Sequence, residues 1–255
     1  MKQHFLIMAL CFLCTLSSLA QVDSIDVTTN RLRFNQLKEQ ANTYMVYTQD
    51  SMDAPKRNME IWERRMTKTR VNNKDVYKFN WGRFFSDGSN YHYEILADAG
   101  NFSPISEKIL ANRIMADSLV THKIHYIYDG NSMYSNPDVN EHQSVPFKLD
   151  SLKNSFDWEM DMETFSMLPF EKGKSFAISF YHPGSKTLPN YYTYTVDRSE
   201  KIRFNEAEHK CWVLKITYPG FGYSEWWIDK KTFVTLKMRE VYEGKLRYKV
   251  LVIEA

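Results

Sequence analysis

Hydrophobic and polar positions alternate along much of the second half of the chain. In "GYSEWWIDKKTFVTLKMRE", residues 222–240, Trp226 and Ile228 fall on one face of a strand, while Trp227 and its charged neighbours fall on the other. "DKKT" then supplies turn residues, and apolar alternation resumes at Val234. The segment therefore predicts a strand, a turn and a second strand.

Similar runs recur from Gly173 to the end of the chain, separated by short stretches of turn-forming residues. Strands of about seven to ten residues joined in this way predict an antiparallel meander. Earlier in the chain, "NMEIWERRMTKTR" and "VYKFNWGRFF" flank the turn "NNKD" and predict a hairpin. Tyr77, Phe79 and Trp81 share one face of that hairpin.

Two segments have helical spacing instead. Residues 30–48 place apolar side chains about one turn apart after Asn30, a suitable N-cap. Residues 103–120 begin with Ser103 as a cap and Pro104 at the first helical position. We therefore expect two amphipathic helices beside the strands, in a mainly β chain of the α+β class.

The start of the chain predicts export. Lys2 precedes an apolar stretch, residues 5–16, and small residues end at Ala20, which predicts a signal peptide over residues 1–20. The stretch is too short to span a bilayer, and the leucines before its two cysteines disfavour lipid attachment. We expect a periplasmic protein of a Gram-negative bacterium, with residues 21–255 forming a single β-rich domain.

Charge and cysteine content narrow the function classes. The net charge is +2, and loss of Lys2 leaves +1, so no basic field for nucleic acid is present. Cys211 is the only cysteine after residue 20, which excludes an intramolecular disulfide in the cleaved chain. Because it sits in an alternating strand, we expect a buried, unreactive thiol.

No metal site is predicted. His122 and His125 are three residues apart and point to opposite faces of a strand, while the other histidines after residue 20 stand alone: His92, His142, His182 and His209. The acidic run Asp157, Glu159, Asp161 and Glu163 would line one face of an extended chain and could attract calcium.

That acidic run lacks the glycine that an EF-hand loop needs at its bend. Met162, Phe165 and Leu168 follow at helical spacing and interrupt the alternation, so we interpret the run as a solvated acidic turn. The chain also lacks a nucleophile elbow, a P-loop, a dinucleotide fingerprint and a zinc-protease motif. We therefore predict no cofactor and no catalytic residue.

Four segments carry a family resemblance: "LPFEKGKSFAISFYHPGSK", "YYTYTVDRSEKIRF", "KCWVLKITY" and "WWIDKKTFVTLKMREVYEG". Over residues 168–252 the chain resembles the exported bacterial family called domain of unknown function 3108, whose members resemble the LolA and LolB lipoprotein carriers. The resemblance implies a LolA-like half-open β-barrel, one large curved antiparallel sheet wrapped around one or two helices. It brings no catalytic residues.

The high aromatic content, 15% of the chain, allows three interpretations: a filled core, an apolar cavity, or flat faces for sugars. We expect a non-enzymatic protein that binds a lipid or a lipidated ligand on the concave face of the sheet, with peripheral contact to the cell envelope. A structural or carbohydrate-contacting envelope protein and a hydrolase are the alternatives. The expected ligand-binding residues are Phe180, Trp212, Leu214, Trp226, Ile228 and Leu236.

Overall fold

The strands form one large curved sheet in a computed structural model that describes residues 22–29, 31–116, 118–136 and 147–254. The predicted signal peptide and His142 lie outside these residues, so cleavage and export stay predictions. The strands are β1 (Val22–Ile25), β2 (Gln40–Gln49), β3 (Arg57–Val71), β4 (Lys74–Phe85), β5 (Asn90–Asp98), β6 (Pro104–Met115), β7 (Ser118–Asp129), β8 (Ser132–Ser135), β9 (Lys148–Leu149), β10 (Phe156–Asp157), β11 (Ser175–Tyr181), β12 (Asn190–Phe204), β13 (Ala207–Tyr218), β14 (Gly222–Asp229), β15 (Thr235–Tyr242) and β16 (Lys245–Glu254).

The last strand joins the two halves of the sheet. The order is β1, β11 to β16 in sequence, then β2 to β9, so β16 lies between β15 and β2. Tyr248 pairs with Tyr47, and Leu251 pairs with Tyr44. Short parallel pairings of β1 and β10 with β11 complete the sheet, and the remaining neighbours are antiparallel. The predicted curved antiparallel sheet is therefore confirmed.

The helix predicted over residues 30–48 is wrong. A 3-10 turn (Phe34–Gln36) is followed by β2, in which Asn42, Tyr44 and Val46 are buried at every second position. β2 pairs with β16 on one side and with β3 on the other. This two-sided pairing fixes an extended chain despite the helical spacing of the apolar residues.

The helix predicted over residues 103–120 is also wrong, because this segment forms β6 and the start of β7. Pro104 opens β6, a position at which a strand tolerates the missing amide. Ile109 and Leu110 then point to opposite faces, and Ala116 takes a positive φ of 47° after the strand ends. The apolar residues on the two faces of this strand are spaced along the chain like the residues of one apolar helix face.

Both predicted hairpins are confirmed. β3 and β4 pair throughout their length, and Tyr77, Phe79 and Trp81 are buried on their shared face. β14 and β15 pair across the "DKKT" turn, where the Asp229 carboxylate accepts hydrogen bonds from the Lys231 and Thr232 amides at 2.6 and 2.9 Å. Turn residues and strict alternation were reliable where helical spacing was not.

A single short α-helix, α1 (Asp161–Ser166), packs on the concave face among the described residues. The ring centroid of Phe165 on this helix lies 4.9 Å from that of Tyr194 and 5.2 Å from that of Trp226. The main hydrophobic core lies between α1 and the sheet. No helix in the described ranges is long and apolar enough to cross a membrane.

Cys211 on β13 is fully buried, as expected, and is a free thiol. Burial, together with the nearby Asp229 carboxylate, raises the pKa of this thiol to about 12. The thiolate form that reacts with oxidants and electrophiles is therefore scarce near neutral pH. The predicted burial of Cys211 is confirmed, and its low reactivity stays a prediction.

Candidate functional site

An acidic segment, residues 157–163, crosses the concave face through a 3-10 turn (Trp158–Met160) and the start of α1. The prediction of a solvated acidic turn is wrong, because these carboxylates are buried or nearly so. Each one contacts a different part of the chain. Two accept short hydrogen bonds: Asp157 from the Tyr128 hydroxyl at 2.8 Å, and Glu163 from the Arg64 guanidinium at 2.6 Å. The other two pair with a basic side chain: Glu159 with His182 at 3.1 Å, and Asp161 with Lys249 at 4.0 Å.

Arg64 is the strongest of these attachments. Its guanidinium donates to both Glu163 oxygens, at 2.6 and 3.3 Å, and to the Glu159 carbonyl at 2.7 Å. Burial alone would lower the Arg64 pKa, but the Glu163 carboxylate raises it well above its ordinary value. Both side chains are almost entirely buried, so this charge-assisted pair fixes α1 to β3.

Beside the acidic segment lies an open cavity of about 380 Å³. β3, β4 and β16 form one wall, and the loop between β11 and β12, residues 182–189, forms another. Three indoles and four cations dominate its lining: Trp62, Trp81, Trp158, Arg64, Arg83, Arg247 and Lys249. A cavity with this lining suits a ligand that has both an apolar part and a negative charge.

The cations lie over the indole rings. Lys249 Nζ is 4.5 Å from the centroid of Trp62, and the guanidinium carbons of Arg83 and Arg247 are 5.2 and 5.6 Å from it. Arg83 is already paired with Glu60 at 2.8 Å. Arg247, in contrast, has no carboxylate within 4.0 Å in the described part of the chain. Arg247 is therefore the cation best placed to receive an anionic group.

Lys249 occupies the floor of the cavity. Its ammonium lies between the rings of Trp62 and Trp226, at 4.5 and 4.7 Å from their centroids. Burial lowers the Lys249 pKa to about 8, against the opposing effect of the Asp161 carboxylate. Near neutral pH this group is a cation that loses its proton easily.

A buried acid pair lies behind the cavity. Burial and the nearby Glu159 carboxylate raise the pKa of Asp157 to about 7, and burial raises the pKa of Glu107 well above its ordinary value. Neither Glu107 carboxyl oxygen has a hydrogen-bond partner among the described residues. At the rim, the hydrogen bond with Glu159 raises the pKa of His182. The cavity is thus backed by acids that hold their protons.

The loop over residues 182–189 is held in place by two contacts. The Tyr181 hydroxyl donates to the Ser185 carbonyl at 3.0 Å. Gly184 has a φ of +74° and touches the Tyr126 hydroxyl so closely that a Cβ atom would not fit. Leu188, farther along the loop, lines the cavity and is also exposed to solvent.

The six residues predicted to bind a ligand lie mostly in the filled part of the concave face. Leu214, Ile228 and Leu236 are fully buried in the core. Trp226 is buried against Phe165 and reaches the cavity only through Lys249. The other two separate: Phe180 lines the cavity, while Trp212 is half-buried, stacked on Phe170 and covered by Lys230. Their ligand-binding role stays a prediction.

The main cavity residues lie on β3, β4 and β16 and were not predicted. The sequence does contain a pattern that points to them, because an aromatic or basic residue alternates with a second basic residue on one face of each strand. The pairs are Trp62 with Arg64, Trp81 with Arg83, and Arg247 with Lys249. Cations at positions that face inward indicate a polar site in an otherwise apolar sheet.

Metal binding finds no support in the described ranges, where no three His, Cys, Asp or Glu side chains are close enough to hold an ion. His122 and His125 lie on β7, where their spacing points them to opposite faces.

The architecture and the cavity define a curved β-sheet protein with a site on its concave face. Residues 43–250 match the model of the family described as protein of unknown function (DUF3108), so the chain belongs to that family. The match extends well before residue 168, where the quoted resemblance began. No curated protein matches the chain. The relation to LolA and LolB carriers stays a prediction.

Two solved structures were compared with the chain. A β-barrel-like protein of the DUF1849 domain of unknown function, from Brucella abortus, has a TM-score of 0.52 at 9% identity and covers 86% of this chain and 97% of its own. A "putative lipoprotein" from Parabacteroides distasonis has a TM-score of 0.35 at 7% identity, with 88% and 99% covered. The first likeness supports a β-barrel-like fold and leaves function open.

Proposed function

We propose that this protein is an exported, non-enzymatic binding protein that takes up an amphiphile with a negatively charged group, such as an anionic lipid. The observation that carries the proposal is the open cavity in which the indoles of Trp62, Trp81 and Trp158 stand beside Arg247 and Lys249. Trp158 and the exposed Leu188 provide accessible apolar surface in the cavity, and Arg247 provides a guanidinium that the described carboxylates leave unpaired.

The ligand would then lie in a different part of the concave face from the one predicted from the sequence. The apolar area around Leu214 and Ile228 is filled by α1, so a lipid chain would not lie there. The available space borders β3, β4 and β16. A carbohydrate is disfavoured because cations occupy the region over the Trp62 ring, and Tyr93 stacks on Trp81 at 4.4 Å. Sugar binding needs ring faces that are free.

A hydrolase is the second candidate, since titratable groups converge on the cavity. Glu159, Asp161, His182 and Lys249 all line it. They contact one another in pairs, Glu159 with His182 and Asp161 with Lys249, which favours a structural role for them. Recovery of a bound ligand intact supports binding, and recovery of cleaved fragments supports hydrolysis.

The test is native mass spectrometry of the purified protein, followed by calorimetric titration with dodecyl phosphate below its micelle concentration. We expect dodecyl phosphate to bind and octyl glucoside, which is uncharged and carries a sugar, to bind much more weakly. Replacing Arg247 with Gln should weaken dodecyl phosphate binding by roughly tenfold, because a charge-assisted hydrogen bond contributes about 1.5–3 kcal/mol.

The matched control is Arg203→Gln, which removes an exposed arginine at the opposite end of the sheet. It should leave the titration unchanged. Equal binding of both probes, or equal loss in both arginine variants, would rule out an anion-selective cavity.

A further inference from the structure

The turns at the two ends of the sheet carry different side chains. Successive turns of an antiparallel meander lie at alternate ends. One end, here called the mouth end, therefore holds the β2–β3, β4–β5, β6–β7, β11–β12, β13–β14 and β15–β16 turns. The cavity residues lie near these turns, and the β11–β12 turn contributes Leu188 to the cavity wall. The mouth end is therefore the end that borders the cavity.

Large apolar side chains project from most of the turns at the mouth end. Their exposed fractions run from 40% for Ile114, near the end of β6, to 72% for Met52 in the β2–β3 turn, and Tyr242 at the end of β15 is also exposed. Other exposed apolar residues of these turns and the adjoining strand ends are Met115, Leu119, Leu188 and Phe221. Separate turns thus present apolar tips side by side.

The turns at the far end, which join β3–β4, β5–β6, β7–β8, β12–β13 and β14–β15, expose polar residues instead. Examples are Asn72, Asn131, Glu206 and Lys231. Phe102 lies in one of these turns but is fully buried. At the far end the exposed apolar residues, such as Val22 and Ile253, lie on the outermost strand β1 and at the end of β16, and the turns themselves carry no exposed apolar tip among the described residues.

We infer that the mouth end docks on the surface of a lipid bilayer, with its apolar tips inserted among the headgroups. A fluid surface accepts single side chains from separate turns, whereas a protein partner generally presents a packed, continuous patch. Leu188 belongs both to these tips and to the cavity wall, so an amphiphile leaving the bilayer would enter the cavity directly. The choice of a lipid surface as the occupant rests in part on the proposed function.

Charge at the mouth end is mixed. Lys56, Lys186 and Lys245 are exposed there, but so are Asp53 and Glu243. Apolar insertion and not attraction to anionic lipid would then drive docking. Neutral vesicles should suffice, and added salt should change the binding little.

The experiment is flotation of the protein with phosphatidylcholine vesicles at low and high salt. The test variant combines Met52→Ser, Met115→Ser and Phe221→Ser, none of which lines the cavity. The control variant combines Met59→Thr, Ile61→Thr and Ile253→Thr, which removes exposed apolar residues from the strands. We expect the wild type and the control to float, and the test variant to lose roughly tenfold or more in vesicle partitioning.

Two results would overturn the inference: a wild type that stays unbound to neutral vesicles, or a test variant that floats as well as the wild type. A dimer in sedimentation velocity that the test variant loses would also overturn it and assign the tips to self-association. Dodecyl phosphate titration separates the two proposals, because the test variant should keep its cavity. A wild type that floats with vesicles but does not bind dodecyl phosphate would overturn the cavity proposal and leave docking supported on its own.

Discussion

Two halves of the sheet use similar side chains in opposite ways. In the filled half, β12–β15, the rings pack on α1 through Phe165, and residues such as Leu236 have no exposed surface. In the open half, β2–β4 and β16, rings such as Trp62 stand beside arginine and lysine, and a cavity remains. Aromatic content alone does not distinguish a core from a site. Cations at inward positions do.

The largest expected loss of stability follows from removing Arg64, whose ion pair with Glu163 attaches α1 to the open half of the sheet. Arg64→Ala leaves Glu163 buried without its partner, so we expect a loss of about 4 kcal/mol in the free energy of unfolding. Urea denaturation at pH 7 measures it. Arg57→Ala breaks the exposed pair with Asp50 and should lose no more than about 1 kcal/mol. Similar losses in both variants would show that the buried pair does not hold α1 to the open half.

The next effect belongs to the filled half. Leu236→Ala removes a fully buried side chain and should lower the free energy of unfolding by about 3 kcal/mol, since a cavity is left in the core. Dodecyl phosphate affinity should stay unchanged, because Leu236 does not line the open cavity. A marked fall in affinity without loss of the fold would place the ligand in the filled half instead.

The comparison also explains what the sequence could and could not reveal. Alternation and turn residues predicted β14, β15 and the β3–β4 hairpin, because pairing partners close in sequence determine them. The wrong helix over residues 30–48 became β2, whose partner β16 lies about 200 residues away and left no local signal.

The position of the open cavity could not be predicted for a related reason. Trp226 was predicted to bind a ligand because it lies on an apolar face of the sheet. The part of that face that stays open depends on where α1 packs. The acidic segment was interpreted as solvated because its partners, among them Arg64 and Tyr128, come from distant strands. Spacing along the chain cannot show such contacts.

A smaller effect concerns the acids behind the open half. The folded chain keeps protons on Glu107 and Asp157 that the unfolded chain releases, since their pKa values are raised in the folded state, to about 7 for Asp157. The free energy of unfolding should therefore fall as pH rises from about 4 to about 7, with each acid contributing up to about 1.4 kcal/mol per pH unit.

Glu107→Gln should make this pH dependence shallower, because one of the two acids is gone. Urea midpoints at several pH values between 4 and 8 measure it. Asp53→Asn, which changes an exposed carboxylate, should leave the pH dependence as it is in the wild type. An unchanged slope in Glu107→Gln would mean that Glu107 is ionised in the folded protein.

The smallest effect leaves stability untouched and compares the chemistry of the two halves. At pH 8 about half of Lys249 is neutral if its pKa is about 8, and its amine lies in the open cavity. Trace acetylation of Lys249 should level off above about pH 8, once the amine is mostly neutral, whereas that of Lys148 should keep rising, because its hydrogen bond with Asp150 raises its pKa. Cys211, buried in the filled half with a pKa of about 12, should react with a disulfide reagent roughly a thousandfold more slowly than in urea. Rapid labelling of Cys211 with a protected Lys249 would show that the boundary between the filled and open halves lies elsewhere.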